Sequence, residues 1–445
     1  MDDTLPLLSA PDCRIGERYD EQNRKDIVDF DPKGDAENPM EWPAAYKWSI
    51  VALLALTAFT VTFTCCAVLP IANRIVEDLD GAQSSKSASV LLVTIWELGE
   101  AAGPLLIGPL SEVFGRYPVI NVSNVLFIAA TVLVAVCQSS SLLVGARALT
   151  GLAVATNVLS PAIVGDIFLP ERRGTAMSFI QMAPLLGGAI GPAISGAIAE
   201  RLGWRRVIWM SVILASFCEM VFLSFFRETY KVPILRRKAA RLRRETGNDF
   251  LKTVFDTEGR GLLQNVGESV MRPMAVFLDS GVLQAMSLFG ALDANSYARD
   301  IMGDVYDLRP ALIGSAFMSF SIGSFVTVVF CNLMLDKIYL RMRDINSGIG
   351  QPEYRLPPVI AGGFLLPVFI VLYGWVPQLR LPLPYSLLSV VLIGTTLMLG
   401  FLPLMTYVVD AFGLYSASAM TALIVTRWNT PLLRTDSGDS PEIWA

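Results

Sequence analysis

The residues of this sequence that can do chemistry are ionisable groups set in strongly apolar surroundings. Glu97 and Glu100 lie in the apolar run 88–110, and three-residue spacing puts both on one side of a helix. Carboxylates in such a setting are candidate proton carriers, because holding a charge there is costly. Arg147 stands about six residues into the run 142–168, roughly 9 Å along a helix axis at 1.5 Å per residue. A guanidinium at that depth costs on the order of 2.5 kcal/mol or more unless it snorkels or finds a partner. It stays charged, so its expected role is to tune a partner carboxylate, with Glu97 or Glu100 the natural candidates. Glu219 is a third acid of this kind and must face a protein interior. Between two apolar runs, "GPLSEVFGRYP" (108–118) places Glu112 and Arg116 at a reversal that Gly108 and Gly115 permit.

The rest of the composition says what must hold these groups. The chain has 445 residues, 53% hydrophobic and 17% charged, with mean hydropathy +0.51. That balance fits a membrane chain better than a soluble one. Histidine is absent, which excludes His-based triads and His-ligated metal and leaves proton chemistry to carboxylates. Cys65, Cys66, Cys137, Cys218 and Cys331 fall in apolar runs and read as packing residues, not a disulfide framework. The net charge of −5 is mild, and no nucleic-acid partner is expected. A multi-span enzyme is disfavoured: there is no clustered metal-ligand set and no nucleophile motif. Neither a metal nor a cofactor is expected.

A bilayer core needs about 20 apolar residues per helix. Candidate spans are 48–69, 88–110, 119–137, 142–168, 176–199, 207–226, 273–292, 312–335, 359–376, 385–409 and 412–426. The expected fold is an all-α membrane protein of two six-helix bundles. The second is incomplete, with about 11 spans in place of 12. The expected divisions are a tail (1–47), a first bundle (48–226), a basic central loop (227–272), a second bundle (273–426) and a polar tail (427–445). Lys and Arg concentrate in the first tail and the central loop, which predicts a cytoplasmic N-terminus. That tail reads as loosely ordered. "RRKAARLRRETGN" reads either as a helix along anionic headgroups or as a plain linker.

G-P-L-S-E-V-F-G-R resembles the loop 2–3 signature of the major facilitator superfamily, with Glu112 for the commoner Asp and Val113 where Arg is frequent. The resemblance implies a cytoplasmic gate of Gly108, Glu112, Gly115 and Arg116, in which the acid latches the two halves. "NLMLDKIYLRMR", with Asp336 and Lys337, is the matching position in the second half. Leu143, Arg147 and Gly151 resemble the superfamily's fourth-helix motif, linked there to proton coupling. In "PLLGGAIGPAISGAIAE", Gly187, Gly191, Ser195 and Ala199 form one small-residue row and Gly188, Pro192 and Gly196 the adjacent one. The string Gly188, Gly191, Pro192, Gly196 resembles the antiporter motif of drug:proton antiporters, which implies export. Asp166 with Arg172 or Arg173 is expected as an inner gate pair. Asp410, at the start of the eleventh span, lies in a D-A-F-G-x-Y segment similar to that of fungal multidrug exporters, as are "NPMEWP" and "FRETYKVPILRRKAARLR". The resemblance covers about residues 38–426 and fails at the seventh span and the C-terminus.

These features imply a monomeric fungal-type drug:proton antiporter in the plasma membrane or, as an alternative, the vacuolar membrane. Its partners would be protons, the bilayer and an amphipathic small molecule such as a xenobiotic, a secondary metabolite, a polyamine or a siderophore. The polar segment after residue 426 motivates a second reading, a truncated or mis-spliced family member without transport activity.

Overall fold

The computed structural model describes residues 27–32, 34–80, 86–255, 310–346, 348–379 and 381–434. The expected seventh span, 273–292, lies outside the described residues. The remaining spans are helical. Span one is α1 (Ala44–Cys66), followed by a short amphipathic helix, α2 (Ala72–Asp80). Span two divides into α3 (Lys86–Ala102) and α4 (Pro104–Phe114), and span three is α5 (Arg116–Val136). Span four divides into α6 (Ser140–Leu152) and α7 (Thr156–Ile167). Spans five and six are α8 (Pro170–Leu202) and α9 (Trp204–Phe225), and a basic helix, α10 (Lys231–Thr246), follows. Spans eight to eleven are α11 (Pro310–Ile345), α12 (Leu356–Gln378), α13 (Leu383–Phe412) and α14 (Ser416–Arg434). Many large apolar side chains on these helices are exposed, among them Ile213, Met220, Phe364 and Val368, as a lipid-facing surface requires.

Breaks in two helices shape the interior. Spans two and four cross with their backbones in contact, and each break lies just past that crossing. A Cβ on Gly99 would stand 2.5 Å from the Ala148 carbonyl oxygen, and one on Gly151 2.3 Å from that of Trp96. Small residues at both sides of the crossing allow this approach. Gly151→Ala should therefore force the two helices apart and cost about 1–3 kcal/mol, the usual range for overpacking. A clear fall in the melting temperature of the detergent-purified protein is the expected result; an unchanged melt would contradict the crossing.

Three expectations need correction here. Residues 34–43 and the strand β1 (Ile27–Val28) are ordered, not loose. β1 pairs in parallel with β2 (Lys252–Thr253), and the acidic segment between them grips the basic face of α10. Lys238 pairs with Asp35 and donates to the Asp29 carbonyl at 3.0 Å, while Arg241 pairs with Glu37 at 2.7 Å. The Lys238 ammonium holds the Asp35 carboxyl below its ordinary range. α10 is thus a helix whose cations are partly taken by the chain's own carboxylates. The eleventh span also does not stop at 426, since α14 continues to Arg434. Asp410 lies in the last turn of α13, on span ten.

Candidate transport site and gate

At the end of the bundle that carries α10, two pseudo-symmetric carboxylates join the halves. Glu112, buried near the end of α4, accepts hydrogen bonds from the Ser418 backbone N–H and hydroxyl, both at 2.8 Å. Ser418 lies in the first turn of α14, where helix N–H groups lack partners within the helix. A carboxylate there is favoured by the helix dipole as well. Thr421, one turn on, donates to the Pro104 carbonyl at 3.0 Å, and Gly108 lies directly against it. In the second half Asp336 does the same for span five. It accepts from the Gly174 and Thr175 N–H groups at 3.0 and 2.8 Å and from the Thr175 hydroxyl at 2.6 Å.

An arginine at the start of the following span stands beside each latch. Arg116 opens α5 and is fully buried; its Nε pairs with Asp166 at 3.2 Å, and Nη1 donates to the Ser111 hydroxyl at 2.6 Å. Its guanidinium lies 4.6 Å from the centre of the Tyr230 ring. Burial, followed by the Glu112 carboxylate, pushes the Tyr230 phenol far upward, so the ring faces Arg116 uncharged. Gly115 permits the turn with φ +104°, and a Cβ there would collide with the Glu228 carboxylate. Glu228 itself accepts backbone N–H bonds from Arg116, Tyr117, Thr229 and Tyr230 at 2.8–3.2 Å. Arg355, just before α12, is the second-half counterpart. It bridges Asp336 at 2.8 Å and Asp410 at 3.0 Å, and also donates to the Pro170 carbonyl.

The inner-gate pairing differs from that expected. Asp166 pairs with Arg116, because both lie at the mouth of the first half. Arg173 points across the interface to Asp410 at 2.7 Å while donating to the Phe168 and Gly165 carbonyls. Lys337 is exposed, and Arg343, further along α11, pairs with the first half, 2.9 Å from Glu171. Sequence reasoning missed Arg355, Glu228 and Tyr230. Arg355 could have been found by symmetry: an arginine ahead of span nine matches Arg116 ahead of span three.

Deeper in the protein, a cavity of about 110 Å³ lies between the halves. Its walls include Glu100, Asn157 and Gln181 from the first half and Phe401, Met405 and Ile424 from the second. Glu100 accepts from the Asn157 amide and, at 3.1 Å, from the Trp96 indole N–H. Arg147 is buried, so it does not snorkel. It stacks 4.5 Å from the centre of the Trp96 ring and donates to the Thr64 and Cys65 carbonyls at 3.4 and 3.5 Å. Trp96 thus links Arg147 to a span-two acid, Glu100. Trp96, which is fully buried, contacts both of them. Glu97, one turn before Glu100, is half-buried and is not among the described residues lining this cavity.

Span five is continuous through Pro184 and Pro192. Its row of Gly187, Gly191, Ser195 and Ala199 is buried, with Gly187 and Gly191 against the backbone of span one around Phe59 and Phe63. The row of Gly188, Pro192 and Gly196 is half-buried, and nothing described lies within 4 Å of a Cβ built on Gly196.

Helices that span a membrane, two latched halves and a cavity between them define a multi-pass membrane transporter. Residues 50–430 match the family described as Major Facilitator Superfamily, and the chain belongs to that superfamily. It is 32% identical to the efflux pump radE of Floropilus chiversii over 92% of this chain and 77% of that protein. It is 29% identical to the MFS-type transporter penM of Penicillium rubens, over 94% and 83%. Among solved structures, the proton:xylose symporter XylE has the same fold, with a TM-score of 0.65 at 17% identity over 89% of this chain and 90% of that one. The human organic anion transporter MFSD10 aligns with a TM-score of 0.61 at 16% identity, over 90% and 93%.

Proposed function

We propose that this chain is a proton-coupled exporter, moving amphipathic organic molecules out of the cytoplasm while protons move in. It would act as a monomer in the plasma membrane, with its N-terminus, α10 and both latches on the cytoplasmic side. Alternating access follows from opening one end of the bundle pair while the other stays latched. The observation that carries the reading is the position of Glu100, a carboxylate in the wall of the cavity between the halves. Protonation there removes a charge from the space a substrate enters, so proton and substrate occupancy affect one another. Phe401, Met405 and Ile424 give that cavity an apolar side suited to amphipathic cargo. Trp96 and Arg147 act on Glu100 through the indole hydrogen bond. The resemblance of span five to the antiporter motif, and an efflux pump among the relatives, support the outward direction.

The test is dye efflux from vesicles containing the purified chain, with and without an imposed pH gradient. Wild type is expected to extrude the dye faster with the gradient. Glu100→Gln should lose at least tenfold of that gradient-driven rate while the amount of folded protein is unchanged. Efflux indifferent to the gradient would defeat the proposal.

A further inference from the structure

Glu219, in the C-terminal part of α9, takes no part in the latches and is not among the described residues walling the central cavity. It is buried at the interface of spans six and three, where Oε2 accepts from the Asn124 amide at 2.7 Å. Its other oxygen, Oε1, is fully enclosed and accepts no hydrogen bond. Among the described residues no cation pairs with it. Its polar partner from span three is the neutral Asn124, and its chain neighbour Cys218 meets Thr60 of span one at 3.4 Å. A carboxylate held this way is costly in its charged form and needs a proton or a solvent contact to persist.

Its partner Asn124 and its chain neighbour Cys218 help to wall a second cavity, of about 20 Å³, together with Thr57, Thr60 and Thr156 among others. That volume holds one water, and the wall offers several polar partners for it. Thr156 is the one described residue lining both this cavity and the central one. Its hydroxyl is buried without a hydrogen bond, as is that of Ser160, which faces the central cavity one turn further along α7. The residue after Thr156, Asn157, donates to Glu100. Glu219 thus meets Asn124, Asn124 and Thr156 wall the small cavity, and Thr156 and Glu100 both wall the central one. The break in span four produces this arrangement, since Thr156 begins α7 at the point where the two cavities meet.

We propose that Glu219 is a second proton-binding site, exchanging protons with Glu100 through a water in the small cavity and the Thr156 hydroxyl. The O–H bond of the Glu219 acid breaks and water takes the proton. That water, Thr156 and a water in the central cavity each gain one proton as they pass one on, and the Glu100 carboxylate takes the last. Glu219 is left ionised and Glu100 neutral. The role given to Glu100 rests on the function proposed above; the proton site at Glu219 does not.

The experiment is infrared difference spectroscopy after a pH jump on the full chain in lipid vesicles. Glu219→Gln should delete one protonated-carboxyl band, and Glu219→Asp should keep that band at a shifted position. Thr156→Val should leave the band in place but slow its appearance at least tenfold. A Glu219→Gln spectrum identical to wild type overturns the site. Unchanged kinetics in Thr156→Val overturn the route. Because protonation is read without any transported substrate, failure here is distinct from failure of the efflux assay.

Discussion

Arg355→Ala is expected to open the latched end of the protein. In the closed arrangement one fully buried guanidinium serves Asp336, Asp410 and the Pro170 carbonyl together. Its removal leaves two buried carboxylates with Arg173 as the remaining cation contacting Asp410. Breaking a buried pair by deleting one partner costs about 3–5 kcal/mol, because the orphaned charge stays desolvated. Of these contacts the one to Pro170 crosses between the halves, while Asp336 and Asp410, held by Arg355 within the second half, carry the other crossing contacts, to Gly174, Thr175 and Arg173, so part of the loss falls on the latched conformation. At 1.4 kcal/mol per tenfold, a share of about 1.5 kcal/mol or more should lower the latched population by roughly tenfold or more. Single cysteines placed at the latched end should become reactive to a membrane-impermeant maleimide, and gradient-driven efflux should collapse. Arg355→Lys should recover only part of the effect, since a point charge cannot span two carboxylates as a planar fork does. Unaltered cysteine reactivity in Arg355→Ala would show that the bridge does not hold the halves together.

Glu112→Gln should weaken the other latch by a comparable route. The carboxylate accepts from both the N–H and the hydroxyl of Ser418, and an amide oxygen can satisfy those donors only as a neutral group. Charge-assisted bonds are about twice as strong as neutral ones, and the α14 helix dipole adds up to about 2 kcal/mol in a partly buried setting. A loss of about 2–3 kcal/mol follows, or roughly 30- to 150-fold in the latched population. The same cysteine reactivity should rise, and the efflux rate should drop in parallel. The double variant with Arg355→Ala tests whether the two latches act as one. Independent latches would give additive losses, whereas a shared two-state closure already lost in the single variant would give little more.

Particular residues show where sequence reasoning stopped. Glu112, Arg116 and Asp336 could be picked out because a charge at a tight reversal between two apolar runs is conspicuous without coordinates. Arg147 and Glu100 stood out because ionised groups inside greasy helices are costly. What each one touches was another matter. Arg147 reads as the partner of a carboxylate, and it is the Trp96 ring, donating to Glu100, on which it stacks. Asp166 and Arg173 are near in sequence, but each finds its ion-pair partner elsewhere, Arg116 and Asp410. The acidic segment before span one looked disordered from its composition; local hydrogen bonds to Asn38 and Glu41 shape it, and α10, some 200 residues away, supplies the opposite charge.

Hydropathy and the period of apolar residues by themselves determined that this chain crosses a membrane as helices, because each backbone polar group must be satisfied within its own helix there. The duplicated motifs likewise determined that two similar halves meet at one end. Only the tertiary structure decided the pairings. Buried charges choose partners by distance and direction across helices remote in sequence, and those depend on where Gly99, Gly103 and Gly151 let the helices approach and where spans two and four break. The placement of Thr156 between two cavities, and of Glu219 against Asn124 in the wall of one of them, arises from the same crossings.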